Sequence, residues 1–232
     1  MADHLEIEQK FDVDADFRRP DFGRLDAGLH DADGTEFGAL SVAAPVLHRL
    51  SATYFDTADG RLAARKVTLR RRTGGPDEGW HLKLPGGYRL PAGAELPAGM
   101  SSRLEVHAPL TAAAEVPETL AARVAEVAGG LPLEPIATLD TERTVVTVST
   151  GDGRVLAEVA DDVVTARRLP VPSGPLAASE PAPAAEPLRW REIEVEVPAP
   201  APELQRAAAD LLFAAGARPA GHGSKLGRLL NS

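Results

Sequence analysis

The stretch that decides the reading is His4-Leu5-Glu6-Ile7-Glu8-Gln9-Lys10-Phe11. Charged and apolar residues alternate at a period of two, the pattern of a strand with one polar and one apolar face. Near the other end, Arg191-Glu192-Ile193-Glu194-Val195-Glu196-Val197 repeats it. Glu6, Glu8 and Lys10 share one face in the first strand, and Glu192, Glu194 and Glu196 share one in the second. Set side by side, the two strands make a wall of carboxylates, which needs a cation to be stable.

The same parity runs through the strands between them. Arg70 and Arg72 lie opposite Val67, Leu69 and Arg71. His81 and Lys83 lie opposite Trp80, Leu82 and Leu84. Arg103, Glu105 and His107 lie opposite Leu104 and Val106. Glu158 and Asp162 lie opposite Val155, Ala157 and Val159. A shift of one residue there would exchange Asp162 for Asp161 and turn it to the other face. An ordinary sheet with one wet face also alternates, but it disperses both signs of charge. Here acids dominate the first and last strands, and arginine and lysine the middle ones. A sheet closed with its charged faces inward would pack its apolar faces against helices and leave a charged, water-filled tunnel. One wall would hold a divalent cation and the other a polyanion. Magnesium and manganese take oxygen ligands, and arginine can bind phosphate oxygens through two donors at once. The ligand so implied is a short polyphosphate with bound metal.

Strand composition recurs over Val46–Phe55, Leu62–Arg72, Trp80–Leu84, Ser102–Ala108, Thr141–Val148, Arg154–Ala166 and Trp190–Val197. Asp56–Gly60, Gly74–Gly79 and Gly151–Gly153 supply turn chemistry between them. Leu120, Val124 and Val127 give Thr111–Ala128 a helical period, which Gly129-Gly130 stops. Glu203–Ala215 is a second amphipathic helix. About eight strands, mostly joined as hairpins, with two or three helices predict a mainly-β α+β fold. Its form is an antiparallel β-barrel with flanking helices, one domain over residues 1–232. Leu169–Pro187, rich in Pro and Ala, is expected to be a mobile loop. Trp80 and Trp190 are expected outside the barrel against helices, Tyr54 and Asp56 in a structural turn, and Arg71 on the outer surface.

Composition narrows the function. The chain has 232 residues, 44% of them hydrophobic, enough for a sizeable core. The net charge of −9 argues against nucleic acid as a partner, and 4% aromatic content offers few rings for stacking bases. There is no cysteine, hence no disulfide and no thiolate metal site. No apolar run approaches the roughly eighteen residues of a membrane helix, and the N-terminus is charged where a signal peptide would be apolar. The expected setting is cytoplasmic, away from membranes.

Glu6-x-Glu8-x-Lys10 resembles the ExExK signature of the CYTH superfamily, the triphosphate tunnel metalloenzymes. Further segments match in order: Tyr54-Phe55-Asp56-Thr57, Leu69-Arg70-Arg71-Arg72, Trp80-His81-Leu82-Lys83-Leu84-Pro85, Arg143, Glu158 to Asp162, Glu192-Ile193-Glu194 and Ser224-Lys225. The wording is most similar to actinobacterial members, many of which continue into a helical CHAD domain associated with polyphosphate. The resemblance implies an eight-stranded antiparallel tunnel that binds triphosphate with Mg2+ or Mn2+. It implies Glu6, Glu8, Glu158, Asp162, Glu192 and Glu194 as metal-side carboxylates, with Glu196 also able to face the cavity. It implies Lys10, Arg70, Arg72, Lys83, Arg103, Arg143 and Lys225 as phosphate-binding cations. The catalytic set is then Glu6, Glu8, Lys10, Glu192 and Glu194. The expected activity is metal-dependent hydrolysis of inorganic triphosphate to pyrophosphate and phosphate. The alternatives are a class IV-type adenylate cyclase, another nucleoside or thiamine triphosphatase, and a non-catalytic polyphosphate-binding module.

Overall fold

The alternation read in the sequence becomes the two faces of a closed sheet. The computed structural model describes residues 2–25, 28–30, 34–86, 100–112, 114–170 and 186–232. In chain order the elements are β1 (Ala2–Val13), β2 (Leu40–Val42), β3 (Val46–Asp56), α1 (Arg61–Ala64), β4 (Thr68–Thr73), β5 (Gly79–Pro85) and β6 (Met100–Ala108). They continue with α2 (Glu118–Ala128), β7 (Glu134–Thr150), β8 (Val155–Arg168), β9 (Leu188–Val197), α3 (Pro202–Ala214), β10 (Arg218–Pro219) and α4 (Lys225–Leu230). Strands run β1-β6-β5-β4-β3-β7-β8-β9, and β9 returns to β1. Every pairing is antiparallel, so the eight strands close a barrel, as expected. The long β1 makes the closure: Ala2–Gln9 pairs β6 while Ile7–Val13 pairs β9. The short β2 and β10 add to β7 and β1 outside the circuit.

Two apolar clusters clothe the outside. The odd-numbered Ile7, Phe11, Ile193, Val195 and Val197 pack on Leu204, Ala208 and Leu212 of α3. Leu69, Trp80, Leu82 and Val106 pack on Leu120, Val124 and Ala128 of α2, and Trp80 is fully buried there. Each large side chain removed from water contributes roughly 1.5–3 kcal/mol. α2 starts at Glu118 rather than Thr111, because Pro117 occupies its N-cap position. It ends where Gly129 takes a left-handed φ of 63°. The expected strand from Leu62 is interrupted by α1, whose backbone N–H groups at Leu62 and Ala63 donate to the Asp56 carboxylate. Asp56 is thus the structural turn residue the sequence suggested.

Trp190 departs from expectation. It has the parity of Glu192, not of Ile193, and lies on the inner face, where its indole Nε1–H donates to Glu192 Oε2 at 2.6 Å. Around it gather Ala52, Tyr54, Leu139, Val164 and Ala166 from the strands, with Leu226 and Leu229 from α4. One end of the barrel interior is therefore apolar and filled by α4. The Arg228 guanidinium sits over the Trp190 ring, 5.1 Å from its centroid, and Arg168 donates to the Leu229 carbonyl at 2.7 Å. Residues 171–185 of the expected Leu169–Pro187 loop lie outside the described residues.

Candidate functional site

The even–odd register lines up polar side chains across neighbouring strands inside the barrel. Lys10 faces Glu194, Asp162 lies between Arg143 and Glu192, and Glu196 lies between Glu8 and Glu158. On the other side Arg70 lies between Tyr54 and His81, and Lys83 faces Glu105. The result is a cavity of about 440 Å³ whose lining includes Lys10, Arg70, Arg72, Lys83, Arg103, Arg143 and Lys225. Glu6, Glu105, Glu158, Glu194 and Glu196 line it too, with His4, His107, Pro76 and Asp77 around its outer part. Glu8, Asp162 and Glu192 lie just behind the lining, and all three are buried.

The two signs of charge meet in direct pairs. Lys10 donates to Glu8 at 2.6 Å and also to Glu194. Lys83 pairs with Glu6, and Arg103 with Glu8. Arg143 grips the fully buried Asp162 through two bonds of 2.8 and 2.7 Å and reaches Glu194 at 2.6 Å. The Lys225 ammonium lies 2.8 Å from Asp162 and 2.7 Å from both Glu192 and Glu194. Arg72 is held by Asp77 on the β4–β5 turn. Arg70 has no ion pair among the described residues; it donates to the Tyr54 hydroxyl at 3.3 Å. Among the described residues no hydrogen bond reaches the buried Nε atoms of Arg70, Arg72 and Arg103, although Arg103 Nε lies 3.7 Å from Glu6 Oε2.

These neighbours set the protonation states. Burial alone would lift the Glu8 carboxyl, but Lys10, with Arg103 and Lys83, outweighs it and holds the group at about 2. Against the same burial cost, Lys10, Lys225 and Arg143 hold Glu194 well below the usual carboxylate range. Lys225 is raised well above an ordinary lysine by Asp162, Glu192 and Glu194, again in spite of burial. Glu196 goes the other way. Burial, followed by the Glu6 carboxylate, pushes it up to about 7. Arg72 is lowered to about 9 by burial and by the charges of Arg70 and Arg143.

Three residues that sequence reasoning left out of the site face the cavity. Tyr54 is buried beside Arg70; burial would raise its hydroxyl, but the charge and hydrogen bond of Arg70 lower it. His81 presents Nδ1 to Glu105 at 2.6 Å and Nε2 to the Asp77 carbonyl at 2.9 Å. Burial, followed by Arg70 and Arg72, lowers this ring to about 3 although the hydrogen bond to Glu105 opposes the shift, so a neutral imidazole meets the Glu105 carboxylate. Glu105 itself was on the correct face by parity. The signal for Tyr54 was weaker, because Thr53-Tyr54-Phe55 offers no polar–apolar contrast between faces.

Among the described residues, one group of carboxylates has the spacing of a metal site: Asp162, Glu192 and Glu194, with ligand oxygens all within 4.8 Å of one another. The structure brings these three together and keeps Glu6, Glu8 and Glu158 outside the group. Asp161 points to the outer face, where Arg191 grips it through two bonds of 2.8 Å. Glu196 sits apart from the group, toward Glu158 and Glu8.

A closed antiparallel barrel with acid and base on facing interior walls defines a charged-tunnel protein. The CYTH domain family matches residues 28–222, and the chain belongs to that family. Two uncharacterised proteins of Mycobacterium tuberculosis, from strains CDC 1551 and H37Rv, are each 38% identical over 236 residues. The chain spans 41% of their length. Its fold is similar to that of a candidate adenylate cyclase from Bacillus halodurans (TM-score 0.56, 20% identity, 98% of each chain covered). It is similar also to a candidate adenylyl cyclase from Hippeastrum with a dominant triphosphatase activity (TM-score 0.50, 19% identity, 97% of this chain and 95% of that one). No helix among the described residues is long and apolar enough to cross a membrane.

Proposed function

We propose that this protein is a divalent-metal-dependent triphosphatase that hydrolyses inorganic triphosphate to pyrophosphate and phosphate in the barrel cavity. The observation that carries the reading is the convergence of Lys10, Arg70, Arg72, Lys83, Arg103, Arg143 and Lys225 on one cavity. Among the described residues no acceptor hydrogen-bonds the buried Nε–H donors of Arg70, Arg72 and Arg103, and a buried donor left unpaired costs about 1–3 kcal/mol. Phosphate oxygens would satisfy them.

The carboxylates fit a hard divalent cation. Asp162, Glu192 and Glu194 offer oxygen donors only, the set that suits Mg2+ or Mn2+, and the Lys225 ammonium already stands among them as a cation. Glu6, Glu8 and Glu158 extend the same acidic wall. The metal, when bound, neutralises negative charge on phosphate oxygens. The chain's own part is to extend and hold the triphosphate along the basic wall. Hydrolysis breaks one phosphoanhydride bond and adds one water. Catalysis of this kind is mostly positioning and electrostatic stabilisation, and Arg70, free of any carboxylate partner among the described residues, is placed to give both.

The lining favours an inorganic substrate. Among the described lining residues there is no Phe or Trp, and the single Tyr is buried beside Arg70, so a nucleobase at the outer part finds no large apolar ring to stack on. The test is phosphate release from triphosphate, ATP, thiamine triphosphate and long-chain polyphosphate, each with Mg2+ and with Mn2+. The expected result is turnover of inorganic triphosphate above all others. Cyclic AMP from ATP would replace this reading with a cyclase, and binding without release would replace it with a polyphosphate-binding module.

A further inference from the structure

We infer that the Lys225 ammonium is an internal competitor for the divalent cation. It pairs with the carboxylate group of Asp162, Glu192 and Glu194, and it leaves for the phosphate side when metal enters. The inference rests on the proposed reading that these carboxylates bind metal, and it names how that site is regulated.

The geometry is that of one cation replacing another. Lys225 Nζ lies 2.7–2.8 Å from one oxygen of each of the three carboxylates. Those are the three residues whose oxygens have the spacing for a metal ion. A divalent cation bound to oxygens at about 2.0–2.6 Å and an ammonium in that position exclude each other by contact and by charge. The departing group has somewhere to go, because Lys225 also lines the cavity beside Arg143, Tyr54 and Ser224. The helix need not undock for this. Ser224 Oγ accepts the Gly227 N–H at 3.0 Å, Leu226 and Leu229 are buried in the barrel end, and Arg168 holds the Leu229 carbonyl. A fixed helix therefore carries a four-carbon stem with several rotatable bonds, and the exchange is a change of side-chain rotamer.

The consequence is coupling. Metal frees an ammonium for the phosphates, and a triphosphate that draws the ammonium away opens the carboxylates to metal. Each ligand then strengthens binding of the other by the same factor. Without triphosphate, the Lys225 ammonium neutralises part of the charge of Asp162, Glu192 and Glu194, and that group binds free metal weakly.

The test is Mn2+ binding to the metal-free protein without substrate, followed by electron paramagnetic resonance, for the wild type, Lys225→Met and Glu192→Gln. Lys225→Met is expected to bind Mn2+ about tenfold tighter or more, and Glu192→Gln to bind it more weakly. Equal or weaker binding by Lys225→Met, with Glu192→Gln weakened, overturns the exchange and leaves the metal site standing. No effect of Glu192→Gln overturns the metal reading itself, and the exchange with it. Because Lys225→Met leaves three carboxylates with less compensation, a second measurement uses the wild type alone. The NMR signal of the Lys225 ammonium in 15N-lysine-labelled protein should move to the position of a solvated lysine at saturating Mg2+. A signal that stays in place overturns the exchange.

Discussion

Glu196 is the sharpest test of the charge arrangement, because it lines the cavity and no cation pairs with it among the described residues. It faces Glu8 on β1 and Glu158 on β8 in register, and among the described residues no hydrogen bond or ion pair reaches it. Burial and the Glu6 carboxylate push it from an ordinary 4.5 up to about 7. The folded protein thus holds this proton more tightly than the unfolded chain does. No stability is lost below about pH 4.5. As pH rises, the folded state loses ground, and the loss is complete once pH passes about 7. A shift from 4.5 to about 7 corresponds to about 3 kcal/mol. Solvent screening in the open cavity reduces that to roughly 1–2 kcal/mol. Glu196→Gln keeps the shape and removes the titration. Urea unfolding of both proteins in metal-free buffer at about pH 5 and about pH 8 isolates the effect, since other titrating groups are common to both. The variant should gain roughly 1–2 kcal/mol on the wild type between the two pH values. An equal difference at both would refute the argument that uncompensated carboxylates crowd this part of the cavity.

Arg143→Met strips the bidentate partner from the fully buried Asp162 and should cost about 3–5 kcal/mol in urea unfolding. Arg49→Met, which breaks an exposed pair with Glu142 at 3.3 Å, should cost no more than about 1 kcal/mol. Arg70→Gln should lower kcat/KM for triphosphate by about two orders of magnitude, yet barely move the unfolding midpoint, because Arg70 balances no carboxylate through an ion pair. Glu8 is held at about 2 against an ordinary 4.5. Its contribution to stability is therefore full above pH 4.5 and is lost as pH falls toward 2. The acid limb of the wild type, followed by circular dichroism, should be steeper in that window than that of Glu8→Gln.

The barrel was legible because its strands obey one rule. Over Leu5–Val13 of β1 and Arg191–Val197 of β9 the apolar residues have odd numbers and the acids even ones, and that parity put Glu6, Glu8, Glu192 and Glu194 inside and Ile193 and Val195 against α3. The same rule set Arg70 and Arg72 apart from Arg71, and Asp162 apart from Asp161. It failed where polarity and parity part company. Trp190 is apolar yet shares the parity of the acids, so it was expected outside, whereas it forms part of an apolar inner end. That end exists because α4 supplies Leu226 and Leu229 to fill it, and a six-residue helix after Gly221-His222-Gly223 is too short to show a clear period. The charge pairs between strands were not legible at all. Lys10 with Glu194, Lys83 with Glu6, and Lys225 with the Asp162 group depend on strand order and register, and β1 meets β9 only through closure. Sequence parity says which face a side chain takes, not which partner it meets across the cavity.

If one cavity takes a metal on its acidic wall and a triphosphate on its basic wall, a crystal structure grown with Mn2+ and a non-hydrolysable triphosphate, with manganese located by its anomalous signal, will hold both. Manganese among Asp162, Glu192 and Glu194, with phosphate oxygens on the Arg70 guanidinium, is the predicted result. Manganese and phosphate found only outside the barrel, with Lys225 and the carboxylates still paired, would contradict it.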